Sequence, residues 1–323
     1  CGDPDVNRLA DCAAMSFLSN LVNIPTDCPG RERRGWTADA FTVSEAECIR
    51  FDMLNLYRRW FDDCRDVQRK SGWIPVEFPL DTVRAIDVIW PCACVLVPWD
   101  VYQAYGDIRF LEEQFDTMIG YVNFMGTVAR DLCRFSPDSC VSFGDWVSSD
   151  PASKPFVAAV YYYAVLDRVS RIAGLLDRPA ERDRYGDLAR RVRARINDLH
   201  LRREGGTAFY DNGSQSANAH ALFFGLVPAG DRDAVAESLL ARIRADGTNT
   251  TGFLGLMCLL QVLADIGRND LAYALVTNPN PGGWLHMVRK RDLTTLAEDF
   301  DVDTFADRYL VRPPSTTLSW GAP

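Results

Sequence analysis

Apolar side chains in this chain recur at three- and four-residue intervals in one segment after another, and that rhythm suits helices far better than strands. Leu9, Cys12, Ala13, Phe17 and Leu21 begin it, and Phe51, Leu54, Tyr57 and Phe61 repeat it. It returns over 97–105, 108–128, 158–176, 180–199, 217–226, 234–243, 254–266 and 271–276, so about ten helices are predicted. No alternating run predicts a strand ladder. Between the helices stand loops dense in Pro, Gly and Asp, at 23–39, 72–82, 136–154, 205–215, 247–252 and 278–284. Short loops alternate with long ones, which pairs neighbouring helices and leads to a bundle, a solenoid or a toroid. No sequence repeat of the length that solenoids need is visible, so an irregular helical toroid fits best.

A chain of 323 residues is long enough for two average domains or one large toroid. Its net charge of −9 repels phosphate backbones and anionic lipid surfaces, so neither nucleic acid nor a membrane is an expected partner. The apolar stretches at 92–99 and 155–166 are shorter than the roughly 20 residues of a membrane-spanning helix. Ten cysteines are too sparse for a small disulfide scaffold, and their spacing matches no zinc site; buried thiols are expected. The sequons at Asn212 and Asn249 lean the expectation towards a secreted protein. The chain opens on Cys1 with no basic-then-apolar leader behind it, as a processed chain or a trimmed domain would.

The long loops are rich in tryptophan and acid: Asp27, Glu32, Trp36, Asp39, Trp73, Asp145, Trp146, Trp284 and Glu298. Indole faces stack on sugar rings and carboxylates accept hydrogen bonds from hydroxyl groups, so this loop chemistry suits carbohydrate. Any one of these tryptophans could equally plug the core. The densest stretch is Asn23-Ile-Pro-Thr-Asp-Cys-Pro-Gly-Arg-Glu-Arg-Arg-Gly-Trp-Thr-Ala-Asp39, where two prolines and two glycines forbid a regular helix while side chains crowd together.

That stretch resembles the signature of the α-L-rhamnosidases of glycoside hydrolase family 78: Asp-Cys-Pro, two residues, Glu-Arg, one residue, Gly-Trp, two residues, Asp. Every fixed position matches, from Asp27 to Asp39. The segments Val97-Pro-Trp-Asp-Val-Tyr-Gln-Ala-Tyr-Gly-Asp107, Gly144-Asp-Trp146, Tyr161 to Tyr163, Thr251-Gly-Phe-Leu-Gly255 and Thr294-Thr-Leu-Ala-Glu298 are similar to the family in the same order. The resemblance implies an all-α fold, an (α/α)6 barrel spanning 1–323, with its site at the mouth formed by the loops. It implies hydrolysis of terminal α-L-rhamnose with inversion, with no cofactor and no metal. Glu32 matches the general acid and Glu298 the general base; Asp27, Arg31, Trp36 and Asp39 match the sugar pocket, and Trp90, Asp145, Trp146 and Trp284 are further candidates for sugar contact. An inverting hydrolase needs one carboxyl to protonate the leaving oxygen and another to activate a water.

The chain departs from the family pattern in two places. Trp90-Pro-Cys-Ala stands where the family has Trp, a small residue and Asp, and Ser315-Thr-Thr-Leu-Ser-Trp320 lacks the family's His. The chain ends about where the family's last barrel helix begins and lacks the β-sandwich domains that usually precede the barrel, so other domains of the same polypeptide are expected partners. A catalytically weakened rhamnose-binding module is the alternative that these departures leave open; another toroid glycosidase acting on glucosides is a third. Among the remaining motifs, Asp62-Asp63-Cys-Arg-Asp66 has helical spacing and suits a solvated face better than a magnesium site. The acidic run from Glu298 to Asp303 lacks the Gly and Glu of a calcium loop, and His200, His220 and His286 share no metal-ligand spacing.

Overall fold

The computed structural model describes residues 1–82, 85–290 and 292–298; the acidic positions 299–303 and the stretch 315–320 lie outside them. Among the described residues the helices run α1 (Pro4–Asn20), α2 (Thr37–Arg50), α3 (Leu54–Val67), α4 (Ala93–Tyr105), α5 (Ile108–Val128), α6 (Lys154–Leu175) and α7 (Pro179–His200). A two-stranded hairpin, β1 (Leu201–Glu204) and β2 (Thr207–Tyr210), leads to α8 (Gln215–Phe223), α9 (Arg232–Asp246), α10 (Phe253–Asp265), α11 (Asn269–Val276) and α12 (Trp284–Lys290).

Side-chain pattern decides which helices face inward. In α7 only Tyr185, Ala189, Val192 and Ile196 are buried, a single stripe on an otherwise charged helix, and α7 lies outside against α6. In α8 every residue from Gln215 to Leu222 is buried, and α4 is buried from Ala93 to Pro98, because these helices meet protein on all sides. The inner helices α2, α4, α6, α8 and α10 pack side by side in that order, and α10 returns to α2 to close a ring. Outside it, α5 packs on α4 and α6, α9 on α8, and α11 on α10. This is the helical-hairpin toroid that the loop alternation predicts.

The ten predicted helices are all present, as α1 and α3 to α11; periodicity misses α2 and α12. From Thr37 to Ser44 every residue of α2 is buried, so that half shows no amphipathic stripe. The hairpin is missed because β1 buries only its first residue, although Gly205 and Gly206, at φ of 56° and 84°, are the left-handed pair a tight hairpin turn requires. All ten cysteines are free thiols and nine are buried. Of the two sequons, Asn249 is buried with its amide donated to the Thr251 carbonyl, so that side chain is closed to a glycan; Asn212 is exposed. No helix among the described residues is long and apolar enough to cross a membrane.

Candidate active site

The loop between α1 and α2 is fixed at both ends before it presents any chemistry. Asp27 and Arg34 close it on themselves: the Asp27 amide donates to the Arg34 carbonyl at 3.0 Å, and the Arg34 amide returns to Asp27 Oδ1 at 2.8 Å. Beyond it, the segment 35–37 pairs with 76–78 through Phe78 N–H to the Gly35 carbonyl and Thr37 N–H to the Val76 carbonyl. Only glycine fits at 35, because a Cβ there would overlap the backbone carbonyl of Phe78. Between these anchors the Glu32 side chain is held from two sides. Trp36 Nε1 donates to Oε2 at 3.0 Å, and Arg31 Nη2 donates to Oε1 at 3.3 Å.

The same Arg31 Nη2 reaches Glu298 Oε2 at 3.2 Å. One guanidinium nitrogen therefore bridges two acids from opposite ends of the described chain, and their nearest oxygens lie no farther apart than those two contacts laid end to end. Although burial works against its charge, Glu298 and Glu32 together hold the pKa of Arg31 above its ordinary value. The two acids differ in depth: the Glu32 side chain is 34% exposed and that of Glu298 15%. Arg34 turns away to Glu77, at 3.7 Å.

Together with Asp27 and Asp39, these two acids line a cavity of about 180 Å³ whose remaining walls are Trp36, Trp90, Phe143, Trp146 and Phe253. Asp39 sits in the first turn of α2, where burial pushes its carboxyl well above the usual range and the neighbouring Asp27 and Glu298 push it further. Burial also pushes Asp27 up to about 6, against hydrogen bonds from the Cys28 thiol and the Arg34 amide, with Glu32 adding to the rise. The raised pKa favours the protonated form of Asp39, which can donate a hydrogen bond as well as accept one. That mixture suits a ring of hydroxyl groups.

The raised pKa of Asp27 sets the sign of a pH effect. Unfolded, the carboxyl titrates at about 3.9; folded, it holds its proton up to about 6. Between those values the folded state binds the extra proton, so this group's contribution to stability falls as pH rises. Asp27→Asn removes the titration and keeps a carbonyl for the Arg34 amide. Its stability relative to wild type is expected to climb by about 2–3 kcal/mol from about pH 4 to about pH 7, as urea unfolding at stepped pH would measure.

Seven of the ten predicted site residues line the cavity, and Arg31 bridges two of them. Asp145 and Trp284 are not among the lining residues. Both oxygens of Asp145 turn to the N-terminus of α10, accepting from Gly252 N–H at 3.0 Å and Gly255 N–H at 2.9 Å, and Ser216 Oγ adds a third bond at 2.6 Å. Trp284 lies in a separate apolar groove of about 370 Å³ with Leu9 and Phe17 of α1 and Met257 of α10. Phe143 and Phe253 are the wall residues that sequence alone did not single out, although Phe143 directly precedes Gly144-Asp-Trp146 and Phe253 lies inside Thr251-Gly-Phe-Leu-Gly255. His200 pairs with Asp211, His220 is buried in the ring, and His286 bonds the Pro279 carbonyl. Asp62 and Asp63 pair with Arg65 and Arg59 on the face of α3, and no metal-ligating cluster occurs among the described residues.

A closed ring of paired helices, with four acids and five aromatic rings converging in one hollow, defines a domain of the helical-toroid glycosidase class. More narrowly, the chain belongs to the family described as the bacterial alpha-L-rhamnosidase 6 hairpin glycosidase domain, whose pattern matches residues 1–319. An alpha-L-rhamnosidase of Streptomyces avermitilis is 31% identical over 302 residues, which is 92% of this chain and 28% of that protein. The crystal structure of the Streptomyces avermitilis alpha-L-rhamnosidase complexed with L-rhamnose superposes with a TM-score of 0.89 at 29% identity, covering 99% of this chain and 31% of that one. The alpha-L-rhamnosidase structure from Dictyoglomus thermophilum gives a TM-score of 0.90 at 28% identity, covering 99% of this chain and 36% of the other. The chain thus spans about a third of the length of these relatives.

Proposed function

We propose that this domain hydrolyses the bond of a terminal α-L-rhamnosyl group with inversion, Glu32 serving as general acid and Glu298 as general base, within a polypeptide that carries further domains. The observation that carries the reading is the Arg31 bridge, which sets Glu32 and Glu298 against one sugar-sized hollow. Inverting glycosidases need an acid and a base carboxyl facing one sugar with room for a water, and the bridge brings these two carboxyl groups together at the cavity. Their depths match the roles. A terminal sugar bound in the cavity has its leaving oxygen towards solvent, where the more exposed Glu32 can protonate it. Glu298, the less exposed of the two, would then take a proton from a water attacking C1 on the opposite face.

The aromatic walls fit the substrate class. Rhamnose carries a methyl group where most hexoses carry a hydroxymethyl, and Trp90, Phe143 and Phe253 supply an apolar surface for it, while Asp27 and Asp39 supply hydrogen-bonding groups for the hydroxyls. The structure of a relative complexed with L-rhamnose supports the choice of sugar. Proton NMR of a nitrophenyl α-L-rhamnoside during turnover tests the reading: β-L-rhamnose is expected to form first and then mutarotate. Initial release of the α anomer would refute inversion, and L-rhamnose binding without turnover would make the domain a sugar-binding module.

A further inference from the structure

The aromatic wall of the cavity is built on irregular backbone. Trp90 stands on a single 3-10 turn (Trp90–Cys92), and Phe143 and Trp146 stand on a loop. Asp87, an acid that none of the family-like segments includes, joins the two. Its side chain is wholly buried. Oδ1 accepts the amides of Ile89 at 2.6 Å and Trp90 at 3.1 Å, and Oδ2 accepts the amide of Phe143 at 3.1 Å. The backbone on either side follows suit: Asp87 bridges Val141, and Val88 N–H donates to the Cys140 carbonyl at 3.0 Å. A buried carboxyl is costly unless its oxygens are filled, and here amide donors converge on both of them from two separate segments.

What Asp87 fixes extends beyond the backbone. The Phe143 ring packs against three tryptophans at once, with centroids 4.6 Å from Trp90, 5.6 Å from Trp36 and 5.9 Å from Trp146. Trp36 in turn donates its indole N–H to Glu32. A continuous line of contacts runs from the Asp87 carboxyl through the Phe143 amide and ring, then the Trp36 indole, to the Glu32 carboxyl.

We propose that Asp87 is a positioning residue for the sugar cavity: it sets Trp90 and Phe143 relative to each other and, through Phe143, aims the Trp36 indole at Glu32. The inference rests on the reading of this cavity as the sugar site and of Glu32 as its acid. An asparagine at 87 would keep one acceptor oxygen and turn an NH2 towards an amide donor, so one of the two wall segments would come loose.

The test uses Asp87→Asn, Phe143→Leu and the double variant in the full chain, with an alkyl α-L-rhamnoside, whose leaving group needs the proton of Glu32, as substrate and L-rhamnose quenching of tryptophan fluorescence as a binding readout. Rates are taken per folded molecule, with folding followed by circular dichroism. Asp87→Asn is expected to lose about 10- to 100-fold in kcat/KM, the scale of a misplacement of about 1 Å, with KM raised, kcat lowered and the L-rhamnose titration moved to higher concentration. The double variant is expected to lose less than the product of the two single losses, because part of the effect of Asp87 runs through the Phe143 ring. Unchanged kinetics in a folded Asp87→Asn, or losses that multiply in the double variant, would overturn the proposal. Should Asp87→Asn fail to fold, Phe143→Leu decides: wild-type kcat and KM there break the line to Glu32. A wild-type chain that binds L-rhamnose without turnover would refute the hydrolase reading alone, and the fluorescence titrations would still decide whether Asp87 shapes the wall.

Discussion

Glu32→Gln is expected to lower kcat on an alkyl α-L-rhamnoside by about 10²- to 10⁴-fold, the usual weight of a positioned general acid. On a nitrophenyl rhamnoside the same change should cost far less, because nitrophenolate leaves as a stable anion and needs no proton. Glu298→Gln is expected to cost a similar factor on both substrates, since the attacking water must lose a proton whatever the leaving group. The contrast separates the roles. Both variants keep an acceptor oxygen and a donor NH2 of about the same size, so the Trp36 indole still finds a partner at 32 and the local fold survives. Steady-state kinetics of the two variants on the two substrates check the assignment. Equal losses for Glu32→Gln on both would remove it from the acid role, and a leaving-group effect at Glu298→Gln would exchange the pair.

Why these acids were legible from sequence, while their supports were not, follows from where each kind of information sits. Asp27 to Asp39 is local: the loop is short and closed on itself by Asp27 and Arg34, so its residues are neighbours in space as in sequence. The outer helices were legible for the same reason, since a stripe such as Tyr185, Ala189, Val192 and Ile196 is written at fixed spacing. Helix α2 is packed on every side through its first half and carries no such stripe, though it holds Asp39. Asp87 and Asp145 were beyond reach because their partners are backbone amides, which every residue but proline possesses and no motif records. An acid in a Trp-bearing loop suggests a sugar contact; only coordinates show that the amides of Gly252 and Gly255 already occupy it.

That difference at Asp145 leads to the largest expected effect on stability. The first amides of a helix have no partner within it, and at α10 Asp145 supplies one from a loop over a hundred residues earlier, bonding Gly252 and Gly255 while also accepting from Ser216 of α8. Glycine is required at both contact points, since a Cβ at 252 would overlap the Trp146 carbonyl and one at 255 would crowd the Asp145 carboxyl. Asp145→Ala would leave two amides and a hydroxyl buried without this acceptor, each at a cost of about 1–3 kcal/mol. The hydroxyl can rotate towards another acceptor, so the expected loss is about 3–5 kcal/mol, a large part of the 5–15 kcal/mol typical of a whole domain. Asp145→Asn, which retains one acceptor oxygen, should lose about half as much. Urea unfolding in the absence of sugar measures both. A residue whose work was to hold the sugar would give the opposite pattern, a raised KM at unchanged stability, and a loss below about 1 kcal/mol in Asp145→Ala would return Asp145 to that role. Because Phe253 opens α10 and its amide bonds the Trp146 carbonyl at 3.2 Å, loosening this joint should also shift two rings of the cavity wall, so any fall in sugar affinity is expected to track the lost stability across the two variants.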